Sequence, residues 1–221
     1  MLAKENAEYA RADAALCSLA SRCLLQPTME LAHDVQTGEI LGSFKALLSE
    51  HPRAEIQEAL GLLQTFQEKT QGKELNDARL MLETDYNRLF VGPARLLAVP
   101  YESFYKTPRG ENDRGRLRGP SEREVVAAYG EHGYTMPEHF VDFADHIAIE
   151  LEFLAMLAND EAALWEAGDT EAAEKLRADA EAFRIEHPAS FIGALADDIR
   201  TGAHREFYPA MANIVEVAIL S

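Results

Sequence analysis

The residues best suited to chemistry lie in one short segment, Asp145–Glu150. On a helix, His146 and Glu150 would be i, i+4 neighbours that can pair. Asp142, Asp145 and Glu152 would share another helix face. A histidine beside carboxylates can act as an acid or base, or as a pH-dependent binder. The alternative is a helix N-terminus rich in acids because of the helix dipole, with His146 buried and satisfied.

Metal-binding and nucleophile motifs are the next candidates. Glu-x-x-His spacing occurs once, at Glu30 and His33, whereas di-iron bundles use two such motifs with further glutamates. The sequence has no phosphate-binding glycine loop, no serine nucleophile elbow and no Cys-x-x-Cys pair. We therefore expect no metal site. A metal-using helical enzyme stays open as an alternative, on the Glu30/His33 and His146/Glu150 pairs.

Composition and charge narrow the class of protein. The chain has 221 residues, 47% of them apolar, which is enough for a sizeable core. Ala and Leu greatly outnumber Val, Ile and Thr, a balance that favours helices over strands. Acidic residues outnumber basic ones 38 to 21, a net charge of −17, so binding to nucleic acid through phosphate contacts is disfavoured.

The sequence also indicates in which cellular compartment the protein lies. Cys17 and Cys23 are six residues apart in a helical stretch, so we expect no disulfide. The N-terminus lacks the basic-then-apolar layout of a signal peptide, and no apolar run approaches a membrane span. We expect a soluble cytoplasmic protein without membrane insertion.

Helical periodicity runs through both ends of the chain. The predicted helices lie at 6–25, 39–48, 53–71, 74–90, 121–133, 139–167, 170–186, 188–200 and 203–220. Ser121 and Glu124 predict a capping box, and Gly133 a helix C-terminus. The prediction is an all-α, single-domain bundle of roughly nine to eleven helices over residues 1–221. Its N-terminal helical half is 1–90 and its C-terminal half is 121–221.

Segment 91–120 separates the two predicted halves. It holds four of the nine prolines and four of the thirteen glycines, so we predict a long loop there. The segment is locally basic and is either a functional loop or a solvated linker. Tyr101, Phe104 and Tyr105 count against a linker. Exchange of halves about this loop would give a homodimer, so monomer and homodimer both stay open.

Several motifs occur in order along the chain. They are Leu89-Phe90-Val91-Gly92-Pro93, Pro100-Tyr101-Glu102-Ser103-Phe104-Tyr105, Leu117-Arg118-Gly119, the stretch from Asp145 to Phe153, and Phe207-Tyr208-Pro209-Ala210. This succession resembles the TorD/DmsD family, chaperones that mature molybdenum-containing oxidoreductases. The resemblance is densest between residues 83 and 153. Two positions depart from the family pattern, Val99 and Phe143, where the family often has proline.

The resemblance implies a function with no catalytic residue and no cofactor, and a set of site residues. Such chaperones bind the twin-arginine signal peptide of an apo-oxidoreductase, and often its folded body, until the cofactor is loaded. The implied peptide-binding residues are Phe90, Tyr101, Glu102, Ser103, Tyr105, Gly119, Asp145, His146 and Glu150. Carboxylates can bind guanidinium through charge-assisted hydrogen bonds, and aromatic rings can stack on it. A helical adaptor that binds proteins without recognising signal peptides is the remaining alternative.

Overall fold

The structure, a computed structural model, describes residues 2–48, 51–92, 96–106, 117–136 and 142–220. Within these ranges there are eleven α-helices, a π-helical segment after α5 (Asn87–Val91) and a 3₁₀ turn after α9 (Pro188–Ser190). The α-helices are α1 (Leu2–Leu24), α2 (Met29–Thr37), α3 (Glu39–Leu48), α4 (Ala54–Thr70), α5 (Leu75–Tyr86), α6 (Glu102–Lys106), α7 (Pro120–Glu131), α8 (Ile147–Ala167), α9 (Thr170–Glu186), α10 (Ile192–Gly202) and α11 (Phe207–Leu220).

The all-α prediction is confirmed. The described residues form no β-strand, and strand-like pairing among them is limited to one isolated antiparallel bridge between Tyr101 and His146. Among the described helices, none combines the length and apolar character needed to cross a bilayer. The predicted boundaries match the observed ones in α3 and α9.

The chain divides into two compact units, each built from two separate stretches of sequence. The first unit contains residues 1–21 and 101–191, and the second contains residues 22–100 and 192–221. The units are thus interleaved along the chain, with a division inside α1. The single-domain assignment stays a prediction.

The first unit is built around α8, whose residues are buried on almost every face. Gly168 ends this helix in the left-handed region, with φ of +79°. Asp169 then caps α9 by accepting a hydrogen bond from the Ala172 N–H. The resulting short turn folds α9 back along α8. Phe153 of α8 and Phe183 of α9 pack edge to face, with ring centroids 4.7 Å apart.

The second unit has α11 at its core, because ten residues of this apolar helix are buried. Phe207 packs on Phe66 of α4, and Tyr208 packs against the rings of Tyr86 and Phe90. The π-helical segment carries Phe90 towards Tyr208, at 5.5 Å between ring centroids.

Four sequence predictions about elements need correction. Helix α2 was not predicted from the sequence. Helix α6 lies inside segment 91–120, which was predicted to be a loop. Residues 93–95 and 107–116 of that segment lie outside the described residues. The capping box is wrong, because α7 begins at Pro120 with Gly119 as its N-cap. Helix α8 begins at Ile147, about eight residues later than predicted. Asp142, Asp145 and His146 therefore precede the helix instead of lying on its faces.

Candidate functional site

Two segments of the first unit meet at Tyr101–Lys106 and Asp142–His146. The backbone N–H of Glu102 donates to the Asp145 carbonyl at 3.0 Å. The N–H of Ser103 donates to Asp145 Oδ2 at 2.8 Å. Asp145 therefore satisfies two free N–H groups at the start of the five-residue helix α6. A helix this short is not stable alone, so Asp145 is a structural requirement for the Glu102–Lys106 turn.

His146 is the N-cap of α8. Its Nδ1 accepts a hydrogen bond from the Ala148 N–H at 3.1 Å, which places any ring proton of the neutral form on Nε2. Burial lowers the pKa of His146 to about 4, a shift that the charge of Asp142 partly opposes. His146 is therefore a neutral acceptor at pH 7. Its ring lies edge-on to Tyr101, at 5.4 Å between centroids.

Among the described residues of this unit, three carboxyl side chains are completely buried: Glu102, Asp145 and Glu150. Glu102 is held by Lys106 Nζ at 2.5 Å and by His187 Nδ1 at 3.1 Å. Among the described residues, neither oxygen of Glu150 has a hydrogen-bond partner, and the same is true of Asp145 Oδ1. We call Glu102, Asp145 and Glu150 the carboxyl cluster.

Two members of the carboxyl cluster, Asp145 and Glu150, resist ionisation. Burial raises the pKa of Glu150 well above its ordinary value, the charges of Glu102 and Asp145 raise it further, and Lys106 opposes them. Burial also raises the pKa of Asp145, although hydrogen bonds from Ser103 counteract part of that effect. The cluster therefore holds more carboxyl groups than its two basic neighbours, Lys106 and His187, can neutralise. Among the described residues, no three His, Cys, Asp or Glu side chains are arranged to hold a metal ion.

Aromatic side chains line the outer side of these segments. Tyr101 donates from its hydroxyl to Asp142 Oδ2 at 2.7 Å and packs on Phe143. Arg118, which has φ of +60°, lies over the Phe143 ring at 4.8 Å. Phe143, one of the two departures from the family pattern, thus joins Tyr101 to the start of α7. Tyr105 is half-buried and stacks on Phe191.

A cleft of about 320 Å³ opens between α7, α8 and α9. The largely buried rings of Phe153 and Phe183 form part of its wall, and His187 packs against Phe183 with ring centroids 4.6 Å apart. Its acidic lining residues are Glu131, Asp179 and Glu186, its lysine is Lys175, which is paired with Asp179, and two histidines, His132 and His187, also line it. His187 lines this cleft and also contacts Glu102, so it connects the cleft to the carboxyl cluster.

The nine site residues predicted from the sequence fall into three groups. The structure brings six of them together at the junction described above: Tyr101, Glu102, Ser103, Asp145, His146 and Glu150. Tyr105 and Gly119 lie on the same unit and are partly exposed. Phe90 packs in the second unit, against Tyr86 and Tyr208. All six junction residues are buried, so peptide contact by them stays a prediction.

Sequence reasoning missed two residues that hold this site together. The spacing of Glu102 and Lys106 is i, i+4, a pattern that indicates a helical ion pair. The ion pair was not predicted because a proline-rich segment gives no helical periodicity. His187 carries no comparable signal, because it meets Glu102 only through the fold, 85 positions along the chain.

Comparison with known proteins places the chain in a family. The family model described as nitrate reductase delta subunit matches residues 44–197. TorD chaperones are among the relatives: that of Vibrio cholerae serotype O1 (El Tor Inaba) is 37% identical over 82 residues, which is 37% of this chain and 34% of the relative. TorD of Photobacterium profundum is 31% identical over 146 residues, covering 65% of this chain and 62% of that one.

A solved structure shares the fold. A protein of Archaeoglobus fulgidus described as a redox enzyme maturation protein superimposes with a TM-score of 0.55, at 15% identity, over 96% of this chain and 94% of that one. The chain matches about a third to three fifths of the length of the two curated chaperones. The matched family region covers more than half of the chain, and it confirms the TorD/DmsD resemblance found in the motifs. The chain belongs to the nitrate reductase delta subunit family, which includes TorD-like proteins.

Proposed function

We propose that this protein is a chaperone for a molybdenum-containing oxidoreductase. It binds the twin-arginine leader peptide of the apo-enzyme, and the enzyme's body, while the cofactor is loaded and before export. The protein acts in the cytoplasm, without membrane insertion and without a catalytic step of its own. Similarity to proteins named TorD chaperones supports this function.

The carboxyl cluster is the observation that carries the proposal. It concentrates buried carboxyl oxygens that lack hydrogen-bond partners among the described residues, and Asp145 and Glu150 both lie in a family-like motif. A twin-arginine leader offers two guanidinium groups followed by an apolar run. Guanidinium groups form bidentate, charge-assisted hydrogen bonds with carboxylates and stack on aromatic rings. A guanidinium beside Asp145 and Glu150 would favour their ionised forms, and its donors would meet the oxygens that lack partners among the described residues.

Titration of a synthetic leader peptide into the full chain tests the proposal. The twin-arginine peptide should bind saturably, and a matched peptide with two lysines should bind roughly tenfold more weakly, because lysine cannot form the bidentate contacts. A scrambled peptide of equal charge controls for general attraction to an acidic protein. If no leader binds, including that of the enzyme that co-purifies with the chain, the proposed function is wrong.

Co-purification with mass spectrometry identifies the client independently. A molybdoenzyme catalytic subunit should be enriched with the tagged full chain. Partners that include no such subunit would favour a helical adaptor instead. Light scattering on the same material measures whether the chain is a monomer or a homodimer.

A further inference from the structure

Lys106 forms an ion pair with Glu102 of the carboxyl cluster. Its ammonium contacts Glu102 Oε1 at 2.5 Å and donates to the Glu186 carbonyl at 2.6 Å. Its side chain retains 31% exposure, whereas that of Glu102 has none. The basic side chain thus covers a buried acid while remaining in contact with solvent.

The cluster has more acceptors than Lys106 can satisfy. Glu150 Oε1, Glu150 Oε2 and Asp145 Oδ1 have no hydrogen-bond partner among the described residues. An ammonium group has three donors, and two of its contacts are already taken by Glu102 and the Glu186 carbonyl. A guanidinium has five donors in a planar fork and can serve two carboxyl groups at once.

The cleft between α7, α8 and α9 suits the approach of a guanidinium. Its three acidic residues exceed its one lysine, and the largely buried rings of Phe153 and Phe183 form part of its wall beside His187. The same unit already uses this combination internally. Arg177 lies over the Trp165 ring at 5.3 Å and binds Glu161 at 2.7 Å. An arginine between an aromatic ring and a carboxylate is therefore a stable arrangement in this fold.

We propose that Lys106 is an internal competitor for a client arginine, which enters through the cleft and displaces it from Glu102. The inference rests on the proposed leader binding and states how that binding is regulated. In the free protein, Lys106 neutralises Glu102 and covers the carboxyl cluster. In the complex, a guanidinium takes over Glu102 and also reaches carboxyl oxygens that Lys106 leaves without a partner.

Two substitutions at one position should move leader affinity in opposite directions. Lys106→Met removes the competitor and should tighten binding of the twin-arginine leader by roughly fivefold. Lys106→Arg supplies a better competitor and should weaken binding below that of the wild type. Lys4→Met is the matched control, because Lys4 also forms an i, i+4 pair with a glutamate, Glu8, but on the exposed face of α1. It should leave affinity unchanged.

The outcomes separate this inference from the proposed function. If the wild type binds the leader and Lys106→Met binds equally or more weakly, Lys106 does not compete and the inference is wrong. If Lys106→Met loses its helical circular dichroism, Lys106→Arg still tests the inference. Leader binding by Lys106→Arg that equals or exceeds that of the wild type would contradict the inference. If neither the wild type nor any variant binds a leader, the proposed function fails and the inference fails with it.

Discussion

Glu150 is a fully buried carboxyl whose ionisation is opposed first by burial and then by the charges of Glu102 and Asp145. At pH values below the ordinary range of glutamate, the folded and unfolded chains both carry the proton. As pH rises above that range, the unfolded chain ionises while folded Glu150 keeps its proton. The raised pKa therefore makes Glu150 lower the free energy of unfolding as pH increases.

Replacing Glu150 with glutamine removes this dependence. We expect Glu150→Gln to be more stable than the wild type at pH 8, and the difference to shrink as pH falls towards 4. Urea denaturation at both pH values measures it, with Glu171→Gln on the exposed side of α9 as the control. Lower stability of Glu150→Gln at pH 8 would mean that Glu150 is ionised and held by a cation.

His146 shows how far residue types alone can mislead. From the sequence, His146 is a candidate acid or base paired with Glu150. In the structure it is a buried N-cap, and its pKa of about 4 keeps it neutral at pH 7. The sequence did allow a buried, satisfied histidine at a helix N-terminus, and that alternative is the one realised. The difference between the two depends on where α8 begins, and periodicity does not fix helix ends.

At the scale of elements, local signals account for most of the helices. Helix α9 matches its predicted bounds because an N-cap at Asp169 and an amphipathic stripe agree. Helix α2 escapes prediction although Thr28 and Gly38 cap it, because its buried stripe is short. Helix α6 could not be predicted, since its first N–H groups are satisfied by Asp145, more than 40 positions away. Non-local caps leave no periodic pattern in the sequence.

The end of α10 depends on a glycine for a close contact in the second unit. A Cβ on Gly202 would lie 2.9 Å from Leu89 Cδ2 and 3.1 Å from Leu97 Cβ. The Gly202 carbonyl also accepts a hydrogen bond from Arg88 Nε at 2.8 Å. The contact thus joins α10 to the π-helical segment that carries Phe90.

Gly202→Val should therefore destabilise the protein by about 1–3 kcal/mol, the usual cost of forcing extra carbon atoms into a packed site. Gly42→Val is the matched control, because Gly42 lies in α3 and a Cβ added to it would meet nothing within 4 Å. That variant should change stability by less than about 0.5 kcal/mol. Equal denaturation midpoints for the two variants would show that Leu89 and Leu97 move aside without cost.

At the scale of the whole molecule, the net charge of −17 opposes folding but favours binding of a cationic leader. Excess negative charge repels itself in the compact state, and salt screens that repulsion. The individual ion pairs on exposed faces, such as Lys4–Glu8 and Arg11–Glu166, contribute little and lose little on screening. Attraction of a cationic leader to the acidic surface, in contrast, weakens as salt rises.

Raising NaCl from about 20 mM to about 300 mM, which shortens the Debye length from roughly 20 Å to roughly 6 Å, should therefore increase the melting temperature by a few degrees. The same change should weaken leader binding several-fold, mainly by slowing association. Sucrose of equal osmolarity controls for effects other than screening in both measurements.

A lower melting temperature in salt would mean that attractive ion pairs outweigh the self-repulsion. Leader affinity that does not change with salt would place binding in the apolar part of the peptide, and the carboxyl cluster would then not be its main contact.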